Sequence, residues 1–333
     1  MKLLENFFIT IKTKGVITGI LAVKNFFLIL LFNFFSSSLL IKKKIFNYKM
    51  FLDPRDKGIS RTLLLFGKRE LDHKIILEKV LKKNMKVFDI GANIGYYVLM
   101  ETEILGKKGK IVAIEPVPQN MKLLKKNLEL NNNKITKTFE AALSSGNNKN
   151  NSKEPFVLSS HSNLGHLIRK DDVNNVVKKD VGNLNKEKNK IIEINTMNIK
   201  KIIKKTFIPD FIRMDIEGKE TDILYELAKL KLKKYPIICF ETHTSQYQKN
   251  TGKRNMEQTL KKIFKRGYKV KYASTSYEKG SIELKKLGYK PHYRDIKTDD
   301  VTREIYKNLN KKDAIDLICY KGGLRTILMT TQK

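Results

Sequence analysis

The chain has 333 residues, 41% hydrophobic and 30% charged, which is enough apolar material for one large domain with extensions and excludes a wholly disordered polymer. Its 67 Lys and Arg against 34 Asp and Glu give a formal charge of +33, yet only 10 of the basic residues are Arg. That charge admits nucleic acid, an anionic lipid surface or an acidic glycan as partner. Arg, the usual reader of bases and phosphates, is scarce and scattered, so a drift toward Lys, Asn and Ile is the plainer account and a nucleic-acid partner is disfavoured.

Residues 1–47 read as an N-terminal extension with an apolar segment over 16–41. Its window VITGILAVKNFFLILLFNFF is long enough to span a bilayer. Lys24 and Asn25 interrupt it, and a central Lys costs roughly 3 kcal/mol on insertion. As a signal peptide it has too long a charged leader. A span, a membrane-surface helix and a buried helix packed on the rest of the chain all stay open, the buried helix being the expectation. Any membrane contact would run through this segment, with the rest of the chain on the cytoplasmic face. Two cysteines, Cys239 and Cys319, sit in apolar runs that read as strands. They form no metal or disulfide pattern and fit buried thiols in a reducing compartment.

Residues 48–333 read as the main domain. Short apolar runs from Leu39 to Leu52 suggest a hairpin before the Asp53-Pro54 turn. Leu71, Ile75, Ile76 and Val80 recur at helical spacing over 70–82. Strands follow at Val87–Ile90, Ile111–Ile114, Phe139–Leu143, Phe211–Met214, Ile237–Phe240, Tyr268–Tyr272 and Leu317–Tyr320. Helices are expected over Gln119–Leu130 and near Thr221–Leu230. About 144–190, rich in Asn, Lys and Ser, reads as a polar insertion, with His161 and His166 as surface residues. The alternation predicts an α/β fold with a doubly wound, mainly parallel sheet and helices on both faces.

VFDIGANIGYYVL places Asp89 in the first strand and Gly91, Asn93 and Gly95 in the turn to a helix. Such glycines let backbone approach a ligand, and the helix start offers free N–H groups. A dinucleotide loop would read G-x-G-x-x-G. Here the spacing is G-x-N-x-G with an acid two residues earlier, which repels a pyrophosphate but suits the cationic methionine end of S-adenosylmethionine. Glu115 ends the next strand, where a carboxylate can accept hydrogen bonds from both ribose hydroxyls.

A second group lies in FIRMDIEGKE and IICFETHTS. Asp215, Glu217, Glu241 and His243 arrive just beyond two strands, at the carboxyl edge where ligands gather in open α/β sheets. His243 reads as the base for an acceptor hydroxyl. The carboxylates with His243 can alternatively hold a divalent metal, or Asp215 and Glu217 can simply cap and complement the next helix. Arg213, odd in a buried strand, is expected to pair with one of the acids.

These stretches, with FLDPRDKGISRTLLLFGKRE, IVAIEPVPQNMKLLKKNLELN, AALS and INTMNI, resemble the FkbM-type methyltransferases over roughly residues 48–245. The resemblance implies a Rossmann-like class I methyltransferase fold and S-adenosylmethionine as donor. It also implies O-methylation of a hydroxyl on a glycan or secondary metabolite. It places Asp89, Gly91, Asn93, Gly95 and Glu115 at the cofactor, with Glu140 approaching the adenine. The long 144–190 insertion and the apolar N-terminal segment depart from the family pattern. A nucleic-acid-modifying methyltransferase and a non-catalytic cofactor-binding protein are the rival classes. Oligomeric state is not legible.

Overall fold

A computed structural model describes residues 2–35, 39–144, 153–158, 166–167, 190–249 and 255–331. Nine strands form the main sheet: β1 (Lys86–Ile90), β2 (Lys110–Ile114), β3 (Thr136–Phe139), β4 (Phe211–Met214), β5 (Ile237–Glu241), β6 (Lys269–Thr275), β7 (Tyr293–Thr298), β8 (Val301–Lys307) and β9 (Leu324–Thr330). Their order is β7-β8-β6-β9-β5-β4-β1-β2-β3. β3, β2, β1, β4 and β5 run parallel. β9 lies antiparallel between β5 and β6, and the β7–β8 hairpin extends the far edge.

Strands covered on both faces must be apolar nearly throughout. Val87, Ile111 and Phe211 pack into one apolar cluster, while Phe88, Val112 and Ile212 pack into a second on the opposite face, as the two-residue period requires. The first face is covered by α3 (Ile59–Phe66), α4 (Leu71–Val80), α5 (Tyr96–Leu105) and α6 (Pro118–Leu130). The second is covered by α7 (Ile199–Lys205), α8 (Glu220–Lys229), α9 (Thr244–Lys249), α10 (Met256–Lys265), α11 (Glu278–Lys286) and α12 (Lys311–Asp316). The fold is therefore the doubly wound α/β sheet expected. Ahead of it stand α1 (Lys2–Lys14), α2 (Val16–Phe35) and a hairpin of Ile41–Ile45 with Tyr48–Leu52. The boundary read at 47/48 falls in the turn of that hairpin.

Several expectations shift. β3 spans Thr136–Phe139, and Ala142–Leu143 leaves the main sheet to pair with Lys190–Met197. That strand also pairs with Lys153–Leu158, so part of the polar insertion is sheet, with Phe156 and Val157 buried. His161 lies outside the described residues. Leu317–Lys321 is a π-helical turn rather than a strand, and Cys319 is buried in it; the last strand comes after Gly322 and Gly323. A short buried apolar run carries no period that separates helix from strand. The β7–β8 hairpin, polar in sequence, was not anticipated. The segment 16–35 is helical, and no helix among the described residues is long and apolar enough to cross a membrane.

Candidate active site

At the carboxyl ends of β1, β2 and β4 the sheet opens into a cleft of about 870 Å³, counted together with its solvent-filled mouth. Its floor is the β1–α5 loop. Gly91 and Gly95 have φ of +82° and +93°, and Asn93 is also left-handed at +50°, a region Asn tolerates best among residues with a side chain. A Cβ on Gly91 would lie 2.1 Å from the Asp215 carbonyl oxygen, so this glycine lets the β1 and β4 loops touch. Gly95 serves differently from the sequence expectation. Its Cβ would strike Leu124 of α6 at 2.7 Å, and Gly95 does not line the cleft. Its smallness serves helix packing.

Glu115 caps β2 at the cleft wall. Its carboxylate accepts hydrogen bonds from the Asn93 N–H (2.9 Å), the Val117 N–H (3.0 Å) and the Asn120 amide (3.2 Å). Burial, opposed by these donors, raises its pKa to about 7. The wall beyond Glu115, toward β3, is apolar: Val117, Ala141, Ala142, Leu143 and Phe156. The wall on the other side, toward β4, is charged: Arg69, Glu70, Arg213, Asp215 and Glu217. Three strand-to-strand steps separate β3 from β4, about 14 Å. This succession suits a ligand with a flat base at one end, a diol in the middle and a zwitterion at the other. S-adenosylmethionine has that form, so the residues present fit it.

The charged side is a connected network. Arg213 Nη1 meets Asp89 at 2.8 Å, Arg213 Nη2 meets Asp215 at 3.3 Å, and the guanidinium stacks 3.7 Å above the Tyr97 ring. Asp89 and Arg213 are register partners on adjacent strands, which is how a buried strand position accommodates each charge. Asp89 is thus sealed beneath the cleft rather than lining it; burial raises its pKa, and Arg213 opposes that rise. Glu70, left-handed at φ +49°, accepts from Arg69, from the Tyr97 hydroxyl and from Arg325 at 2.6 Å. Burial disfavours its charge, but the two guanidiniums hold its carboxyl well below the ordinary range. Arg325, from β9, also reaches Glu241 at 2.9 Å.

His243 stands 3.3 Å from Glu220, 3.5 Å from Glu217 and 3.9 Å from Asp215. Burial would lower its pKa, yet Glu220, Asp215 and Glu217 raise it to about 10. These carboxylates favour the imidazolium form of His243 at neutral pH, which weighs against His243 as the first base. On this charged side the groups poised near neutrality, like Glu115 on the adjoining wall, are Glu217, raised to about 7 by burial and Asp215, and Glu241, raised to about 8 by burial despite Arg325. Glu217 lines the cleft. Asp215, Glu241 and His243 also present ligand atoms within 4.8 Å of one another, a geometry that can hold a metal ion.

The structure brings Asp215, Glu217, Glu241 and His243 together beside the loop of Gly91 and Asn93, with Glu115 on the adjoining wall. Glu140 is exposed and outside the lining, although Ala141 beside it is inside. Sequence reasoning missed Arg69, Glu70, Arg325 and Phe156. The available signal was the scarcity of Arg itself: in a chain saturated with Lys, Arg69, Arg213, Arg303 and Arg325 all take buried or half-buried ion pairs around this site.

Among solved structures the chain is similar to a precorrin-6y C5,15-methyltransferase from Geobacter metallireducens, at 12% identity and a TM-score of 0.36, over 78% of this chain and 85% of that one. It is similar to TYW2 from P. horikoshii, at 16% identity and a TM-score of 0.42, over 88% and 72%. It is also similar to an S-adenosylmethionine-dependent O-methyltransferase from Thermotoga maritima, at 13% identity and a TM-score of 0.37, over 79% and 65%. No curated protein sequence matches it. The family model of the FkbM methyltransferase domain matches residues 89–270, more than half of the chain and the span from Asp89 to the start of β6. The chain belongs to the FkbM methyltransferase family and is an S-adenosylmethionine-dependent methyltransferase.

Proposed function

We propose that this enzyme methylates a hydroxyl of a small-molecule or glycan acceptor and that Glu217 removes the proton. The observation that carries this reading is a carboxyl with a pKa of about 7 lining the cleft on its charged side. Bound there, with Glu115 at the ribose and the Val117–Phe156 wall at the base, S-adenosylmethionine supplies an electrophilic methyl group. The protein's task is to place an oxygen in line and take its proton. Glu217, ionised, accepts the hydroxyl proton. His243, 3.5 Å away, holds the Glu217 carboxylate, and its imidazolium balances the surrounding negative charge of Asp215 and Glu220.

The test is turnover with labelled donor on acceptors fractionated from the native host. Glu217→Gln should cut kcat by about 10²–10⁴-fold, far more than it changes S-adenosylhomocysteine affinity. Wild-type rate should rise with pH through about 7 as Glu217 ionises and fall near 10 as His243 loses its proton. Near-normal turnover of the variant on a confirmed acceptor refutes the assignment. A second reading rests on the Asp215, Glu241 and His243 triad: a divalent cation there would itself acidify the hydroxyl. Loss of activity in chelator, restored by Mg²⁺, selects that reading over Glu217.

A further inference from the structure

The N-terminal helices carry a surface that the site does not use. One face of α2 is seated on the domain. Ile29 is buried, the Asn25 amide donates to the Leu65 carbonyl at 2.9 Å, and Arg61 lies over Phe26. The opposite face is open, with Ile17, Ile20, Leu21, Phe27, Leu28 and Leu31 between 42% and 76% exposed. These positions recur every three to four residues and form one stripe along a helix of about 30 Å. Phe8 and Ile9 of α1, which packs against α2, are exposed as well. An apolar patch on the order of several hundred Å² on a soluble surface marks an interaction site.

Charge identifies the occupant. Residues 1–52 hold eight Lys and one acid, Glu5. Lys24 sits exposed in the middle of the stripe and makes no ion pair with a described residue. A second copy would present its own Lys24 and a like-charged surround, leaving an ammonium buried and unpaired. A bilayer surface takes the same face at no such cost, because a lysine stem lies along apolar surface while its ammonium reaches lipid phosphate. The fixed inner face keeps α2 along the domain, so it can lie only in the plane of the membrane.

We infer that the outward face of α2 is a docking surface for an anionic lipid bilayer, lying in its interface with Lys24 at the headgroup phosphates. The test uses the full chain and sucrose-loaded vesicles of phosphatidylcholine, with and without phosphatidylglycerol. Wild type should co-sediment with the anionic vesicles. Ile17→Asp/Phe27→Asp should weaken that binding by about tenfold or more while S-adenosylhomocysteine still binds, which reports an intact fold. Lys24→Glu should weaken binding to anionic vesicles and leave binding to phosphatidylcholine alone unchanged. The proposal is overturned if wild type stays in solution. It is equally overturned if the double variant binds vesicles as wild type does, since bulk charge alone would then suffice. A wild-type dimer that the double variant converts to monomer, seen by sedimentation, would assign the face to a second copy instead.

Discussion

Glu115 shows how a side chain proposed for the ligand is itself held by the loop around it. Its two oxygens accept from the backbone of Asn93 and Val117, so truncation to Ala would remove the ligand contact and leave two buried N–H groups without a partner. Glu115→Gln is the milder probe because it keeps the shape and one acceptor oxygen, although its NH2 then faces one of the two N–H groups. It should weaken S-adenosylhomocysteine by roughly 1–3 kcal/mol in calorimetry, and an unchanged affinity would remove Glu115 from the site. At this scale the sequence was readable wherever a motif fixes a residue at a strand end: Asp215, Glu217, Glu241 and His243 do converge. Protonation was not readable. The pKa of His243 depends on Glu220, which comes from the start of α8 and lies at hydrogen-bonding distance only after folding. The identity of a residue gives its unperturbed pKa, while its neighbours decide the state in which it works.

The elements themselves were legible where apolar residues follow a clear period. β1, β2, β4 and β5 fall within a residue of their expected limits because each is a short apolar run ending in a polar motif. The limits of β3 were misplaced because TKTF is mostly polar, and the π-helical turn at Leu317–Lys321 was misread because a short apolar run fits either geometry. β7 and β8 escaped notice because their sequences YRDIKT and VTREIYK are mostly polar. Element packing also separates two glycines that sequence treats alike. Both carry left-handed strain on substitution, roughly 1–3 kcal/mol. At Gly91 the new Cβ meets backbone of the β4 loop, whereas at Gly95 it meets the end of a leucine side chain. Gly91→Ala should therefore abolish cofactor binding, while Gly95→Ala lowers melting temperature and retains measurable binding. The reverse order in paired melting and calorimetry experiments would contradict this division of roles.

Across the whole molecule, the +33 charge is carried almost entirely by Lys, while the buried arginines are already engaged by Glu70, Asp72, Asp89, Asp215, Asp299 and Glu241. Free cationic surface among the described residues is therefore mostly lysine, which attracts phosphate without reading bases. RNA should bind with affinities alike for unrelated sequences and falling by about 10³-fold or more between 50 and 200 mM salt; a sequence preference that survives salt would revive the nucleic-acid reading. β9 has a consequence in time as well as in space. It is the last strand along the chain, yet it lies inside the sheet, hydrogen-bonded to β5 and β6, and it delivers Arg325 to Glu70 and Glu241. During synthesis the sheet must wait with two open edges until the ribosome has released residues 324–330. Until then Glu241 and Glu70 lack their shared cation, so the charged network beside the cleft is completed by the same strand that closes the sheet.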